Sequence, residues 1–307
     1  MKKLISLIMA VLCILSLFAC GGTTSEGLTE IKHSGGGIEL SELEEFLSAR
    51  QQTHIEKDMA KYEERKEQWF EVNLIKYTAG SSSARSWQTT MTVNGKLVFV
   101  NDREILFEAD FLVESINVEN NKEKKTTDKS KVVLVNEMLY IDSEKKTVDA
   151  DGVEQTENTK VKGVLEELYA SDFTAALNKV LFIKENDWDY YGVGVFDLLA
   201  FVKEIELQSK TANYYKDGNT VYLDVKAEET NSEESEEVIY QSKIEFERNS
   251  AIVKACSLFY RDYKENFFNT SSGEVKSNNN EIKIRIDLKK ISSGIINTPN
   301  AEDYQQI

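Results

Sequence analysis

Glu281-Ile282-Lys283-Ile284-Arg285-Ile286-Asp287-Leu288 alternates without a break. On an extended chain, Ile282, Ile284, Ile286 and Leu288 share one side, and Lys283, Arg285 and Asp287 share the other. That is the pattern of a strand with one face in a core and one in water. Working outward, Val238 to Glu247 repeats it, with Val238, Tyr240, Ile244 and Phe246 against Gln241, Lys243, Glu245 and Glu247. Ala251 to Tyr263 reads as a further strand. In Ile105 to Val118 one face carries Ile105, Phe107, Ala109, Phe111 and Val113. Dipeptides with turn chemistry predict hairpins: Asn94-Gly95 between 85–93 and 96–100, Asn136-Glu137 between 132–135 and 138–141, and Asp217-Gly218 between 212–216 and 220–226. Lys122 to Lys131 reads as a charged loop, and the acidic run 228–237 as a solvated hairpin loop.

Two stretches change period. Ser41 and Glu44 have the spacing of a capping box, and a helix from there towards Trp69 carries a thin stripe of Leu43, Phe46, Leu47, Ile55, Met59 and Tyr62. Such a stripe predicts a helix lying on a surface rather than inside a core. Residues 161–207 read as a helical insert, with Val161/Val164/Leu165/Leu168, Phe173/Ala176/Leu177/Val180/Leu181 and Val195/Leu198/Leu199/Val202/Ile205 as successive stripes. The expected fold is α+β: a curved antiparallel sheet, or half-barrel, with an N-terminal helix and the helical insert across its concave face.

The other end of the chain speaks about location. Lys2 and Lys3 precede an apolar run, Leu4 to Phe18, which is too short to span a bilayer and reads as a signal peptide. Leu17-Phe18-Ala19-Cys20 closes it and resembles the lipobox of bacterial lipoproteins. That resemblance implies cleavage before Cys20, diacylation of its thiol, and a protein held by lipid on the extracytoplasmic side of the cell membrane. Cys13 leaves with the signal, so an internal disulfide is not expected, and Cys256 reads as a small buried hydrophobe. Residues 20–38, with Gly21 to Ile38 rich in Gly, Ser and Thr, read as the lipidated cysteine and a flexible tether, of about 23 Å by coil statistics. His33 in the tether reads as solvated. Residues 39–291 form the expected single domain, and 292–307, with the lone proline Pro299, a C-terminal tail.

The element order, the lipobox and the segment Asn213-Tyr214-Tyr215-Lys216-Asp217-Gly218-Asn219-Thr220-Val221-Tyr222-Leu223 together resemble the LolA/LppX-like lipid-binding and lipoprotein-carrier proteins. The resemblance spans about residues 40–290 and contains no diagnostic motif, so no site residue carries over by position. The soluble carriers of that family lack a lipid anchor, so its anchored members fit Cys20 better. The family implies an open antiparallel half-barrel, an apolar cavity and a lipid or acyl-chain ligand.

Composition excludes more than it selects. A net charge of −16, made still more negative when Lys2 and Lys3 leave, opposes nucleic acid binding by phosphate neutralisation. It also leaves membrane attachment to the acyl chains. No G-x-S-x-G, H-E-x-x-H, C-x-x-C or P-loop is present, and with His33 and His54 as its two histidines the chain is not expected to be an enzyme. Ser143 and Lys146 match S-x-x-K without its partner motifs. Asp149, Asp151 and Gly152 match only part of a calcium loop, so no metal, cofactor or catalytic residue is expected. The aromatic patch Trp188, Tyr190 and Tyr191, with Phe173, Leu177, Leu199 and Val202 of the insert, forms the candidate ligand-binding set. The alternative is a filled core in a structural or protein-interaction lipoprotein, its protein partner unspecified.

Overall fold

The computed structural model describes residues 30–53, 67–82, 85–101, 104–164, 180–181, 211–230, 235–248, 253–269 and 274–306. In chain order these give β1 (Gly36–Ile38), α1 (Leu40–Thr53), β2 (Gln68–Ser82), β3 (Arg85–Asn101), β4 (Glu104–Glu119), β5 (Lys122–Val135), β6 (Met138–Val148), β7 (Glu154–Val164), β8 (Thr211–Asp217), β9 (Thr220–Thr230), β10 (Ser235–Phe246), β11 (Val253–Asn269), β12 (Glu274–Ile291) and the dipeptide β13 (Gln305–Gln306). They form one sheet in the order β1-β8-β9-β10-β11-β12-β2-β3-β4-β5-β6-β7-β13. Every pairing is antiparallel except β13 on β7. Two meanders, β2–β7 and β8–β12, therefore meet at the β12–β2 joint, and the sheet ends where the chain passes from β7 to β8. A twisted sheet of this many strands curls.

The expectation of an α+β fold with a helical insert on the concave face is overturned: the described chain is nearly all β. Val161 and Val164, assigned to the first helix of the insert, lie on β7. Val161 faces Ile141 across the ladder with β6, and Val164 is exposed. Their i, i+3 spacing matches a helix, but the backbone groups are satisfied by pairing instead. Between β7 and β8 the described residues are Val180 and Leu181, helical and buried.

Other expectations shift with the sheet. Lys122 to Lys131 is not a loop but the first part of β5. It follows a hairpin turn at Asn120-Asn121, whose φ values of 50° and 63° are those of a type I′ turn. Asn136 and Glu137 make the next such turn, with φ of 52° and 61°, and Gly218 turns β8 into β9. Asn94-Gly95, the strongest hairpin signal in the sequence, sits inside β3, where Asn94 faces Asn73 and Asp110. The acidic run continues the β9 and β10 ladders as far as Thr230 and Ser235. Glu237 pairs with Arg261 of β11, and Glu236 lies 3.7 Å from Lys264.

Helix α1 starts one residue before the expected cap. The amides of Glu42 and Leu43 donate to the Glu39 carbonyl, both at 3.1 Å. The first half of its thin stripe is buried rather than superficial, Leu43 joining the main core with Phe46 and Leu47 packed against it, while Ile55, Met59 and Tyr62 lie outside the described residues. Arg50 stacks over Phe46 and Phe246 and donates to the Glu247 carbonyl and to Asn219. These contacts fix α1 on the inner face, at the end of the sheet that holds the β8–β9 turn.

Both ends of the described chain cross the outer face. Residues 30–38, read as tether, are docked. The Ile31 amide donates to Gln241 Oε1 (2.9 Å), Ser34 bonds Asp217 and Tyr222, and the His33 ring stacks 3.6 Å from that of Tyr215. The segment then becomes β1 on the β8 edge. Residues 292–306, read as a tail, run across the outer face towards β7. Gly294 lies against the Trp69 ring, the Asn297 amide reaches Glu108 (3.4 Å), and Lys162 Nζ donates to the Ala301 carbonyl (2.6 Å). Ile296, Ala301 and Tyr304 cover Val133, Val135 and Tyr140 in a second, outer cluster.

Candidate functional site: a layered inner face

Cross-strand register arranges the inner face of β2–β6 in rows, because residues of one parity on each strand point the same way. The first row is Phe70, Leu97, Phe107, Leu134 and Leu139; the second is Val72, Gly95, Ala109, Val132 and Ile141; the third begins Leu74, Val93 and Phe111. Polarity enters from the β6 side. The third row ends in Ser130 and Ser143, and the fourth reads Lys76, Met91, Val113, Asp128 and Lys145. The fifth row consists wholly of hydroxyl residues: Thr78, Thr89, Ser115, Thr126 and Thr147. On the other side of the joint, Ile282, Ile284, Ile286 and Leu288 of β12 continue the apolar surface, followed by Cys256 and Leu258 of β11 and by Ser242 and Ile244 of β10. The inner face is thus apolar towards the α1 end and hydroxylic towards the other.

On the β5–β6 side the buried polarity is organised. Ser130 and Ser143 both donate to Asp128 Oδ1, Ser143 at 2.8 Å, and the two hydroxyls lie 3.1 Å apart. One carboxylate oxygen therefore anchors the β5–β6 side of the seam. Lys76 is 5 % exposed on β2, with Met91 and Ile284 directly across on either side. Burial pushes the Tyr240 phenol well above its ordinary range, and neighbouring Cys256 adds to this. Burial alone pushes the Cys256 thiol up. Cys256 is thus held as a neutral thiol, a packing group rather than a nucleophile.

Cys20, His54, Phe173, Leu177, Trp188, Tyr190, Tyr191, Leu199 and Val202 lie outside the described residues. Ser143 and Lys146 of the S-x-x-K match differ in parity and so lie on opposite faces; Lys146 pairs with Glu154 at 2.7 Å. Asp149 Oδ1 accepts from the amides of Asp151 and Val153 (3.0 and 2.8 Å), which makes the partial calcium motif a turn. Among the described residues no cluster of His, Cys, Asp and Glu could hold a metal ion, and no helix is long and apolar enough to cross a membrane. Lys76, Asp128 and Ser130 escaped the sequence reading, and Ser143 entered it only through the S-x-x-K match. The available signal was parity alone: Lys76 continues Phe70, Val72 and Leu74 at steps of two.

No family model matches the chain, and no curated protein matches it. Among solved structures, the chain is similar to the translocator domain of the autotransporter NalP from Neisseria meningitidis. The identity is 8 %, the coverage 80 % of this chain and 97 % of that one, and the TM-score 0.24. It is also similar to a β-barrel-like protein of the domain of unknown function DUF1849 from Brucella abortus, at 7 % identity, 73 % and 98 % coverage and a TM-score of 0.22.

Proposed function

We propose that the chain is a lipoprotein of the bacterial cell envelope, anchored on the extracytoplasmic side through diacylated Cys20. In this reading it binds an apolar or amphiphilic ligand, a lipid or a lipoprotein acyl chain, on the inner face of its sheet and performs no catalysis. One observation carries the reading: the inner face of β2–β6 passes from three largely apolar rows to a row of five hydroxyls. The hydroxyl row is half-buried, so the polar end of the gradient lies nearer to solvent than the apolar end. An amphiphile laid along the strands matches both ends of that gradient. Each methylene it buries contributes about 0.8 kcal/mol. The resemblance of the Asn213–Leu223 segment and the signal to lipid-carrying lipoproteins points the same way.

A second reading, a filled core in a protein-interaction module, is favoured by the complete burial of Val72, Leu74, Val93, Leu97 and Phe107. Side chains with no accessible surface border no water-sized space. Native mass spectrometry of the protein extracted from membranes separates the two. Discrete adducts of lipid mass that solvent extraction removes are expected. A bare protein mass, together with no uptake of added amphiphile, leaves the filled core. The anchor has its own test. Cys20→Ser is expected to move the protein to the soluble fraction or leave the uncleaved precursor; the mature form found still in membranes would end the lipobox assignment.

A further inference from the structure

We infer that residues 30–38 are an orienting clip: docked on the sheet, they turn the outer face of β8–β10 towards the lipid surface that holds Cys20. The inference rests on the reading of Cys20 as the lipid anchor. The clip crosses three strands. Glu30 lies 3.9 Å from Lys226 of β9, the Ile31 amide donates to Gln241 of β10, Ser34 bonds Tyr222 and Asp217, and His33 stacks on Tyr215 of β8. Gln241 is buried, and its own amide nitrogen donates to Asp224 at 3.2 Å. Its carbonyl oxygen is thereby aimed at the Ile31 amide. Gly35 follows at a φ of 86°, where a Cβ would fall onto the Lys216 carbonyl oxygen. Only glycine lets the chain approach closely enough to enter β1.

Length decides what the clip does. Eighteen residue steps separate Cys20 from Ile38, and a fully extended chain of that length reaches about 63 Å. Ten steps separate Cys20 from Glu30, which reach at most about 35 Å. At ordinary compactness residues 39–291 make a domain roughly 45 Å across. A tether free up to Ile38 is therefore long enough to pass around the domain and let any face meet the bilayer. A chain already held at Glu30 is too short for that, so the face on which Glu30 sits stays on the membrane side. Charge on that face fits the placement. The chain as a whole carries −16 and is repelled by anionic lipid. On the outer face of β10–β12, however, Lys243 pairs with Glu245, Arg261 with Glu237, Lys283 with Glu281 and Arg285 with Asp287. Paired charges put little net field towards a headgroup surface.

The test uses the lipidated mature protein on phosphatidylcholine vesicles that carry a rhodamine-headgroup lipid. A donor dye is attached at Glu228→Cys or at Glu144→Cys, exposed outer-face positions of β9 and β6; Cys256 is buried. Energy transfer from the Glu228 position is expected to exceed that from the Glu144 position at least about twofold, given the breadth of the domain. Equal transfer from the two positions on membrane-bound protein overturns the orientation and leaves the lipoprotein reading standing. Protein that carries no lipid and does not stay on the vesicles defeats that reading, and this inference with it. Gly35→Val, which breaks the entry into β1, is expected to bring the two signals together. A Gly35→Val protein that keeps the wild-type ratio overturns the role of the clip. Should that variant fail to fold, ten Gly and Ser residues inserted after Gly22 lengthen the reach instead, with the same two outcomes.

Discussion

At Gly95 the sheet has no room for a side chain. A Cβ placed there would fall onto the Cβ of Ala109 and the carbonyl oxygen of Glu108 on the facing strand. The glycine is thus required by close approach on the inner face, in the row of Val72 and Ala109, and not by a turn. Asn-Gly specifies a hairpin only when the flanking strands have a reason to part. Here both flanks of β3 find partners straight through Gly95, in β2 and in β4, so pairing overrides the local signal. Gly95→Ala is expected to lower stability by about 1–3 kcal/mol, the usual cost of overpacking, read as a shift in denaturant midpoint. Gly152→Ala puts its new methyl group into open space, but at a φ of 79°, so its cost should come from backbone strain alone and be the smaller of the two. Equal midpoints for wild type and Gly95→Ala would remove the steric explanation.

Among elements, β12 was the most legible and β5 the least, for the same physical reason. On β12, Ile282, Ile284, Ile286 and Leu288 are inward and buried, and Arg285 is outward, held to Asp287 by hydrogen bonds of 2.9 and 3.1 Å. Hydrophobic alternation reports a strand only where its inner face is apolar. The first half of β5 turns Thr126, Asp128 and Ser130 inward, into the hydroxyl and seam rows, so its pattern looks like a loop although its ladder to β4 is complete. β7 misled for a related reason, because its inner-parity residues Gln155, Glu157, Thr159, Val161 and Gly163 are mostly polar on a mostly exposed strand. The candidate site was illegible where it is polar and readable where it is apolar. Ile286→Asp is expected to cost at least about 3 kcal/mol, since it buries an unpaired charge between Leu74 and Cys256. Arg285→Ala should cost under about 1 kcal/mol, the worth of an exposed pair. Thermal melts of the two variants compare them directly, and similar losses would reverse the face assignment.

At the scale of the molecule, the two ends of the described chain do related work. β1 lies on the β8 edge and β13 on the β7 edge, so each end of the sheet is partly covered by chain that has first crossed the outer face. Short covering strands of this kind limit pairing with other chains. The C-terminal strap also buries Val133, Val135 and Tyr140, with Tyr304 edge-on to Tyr140 at 5.2 Å and Lys160 over its ring. Burial pushes the Tyr304 phenol up, with Asp142 adding to the effect. Deleting residues 293–307 is expected to cost roughly 3 kcal/mol or more, from apolar side chains returned to water, and to increase binding of a hydrophobic dye. An unchanged melting temperature on deletion would show that the strap rests on the sheet without supporting it.

The joint between β12 and β2 also sets the order in which the protein can be made. Within each meander the pairings are hairpins between neighbours in sequence, which close early and fast. Ile284 facing Lys76 joins residues from the two ends of the domain, and such distant contacts are slow to form. During synthesis, β2 must wait with its second edge unpaired until β12, the last long strand, has left the ribosome. The nascent chain therefore presents an open, apolar strand edge for almost the whole of its production, the state in which chains aggregate or need a chaperone.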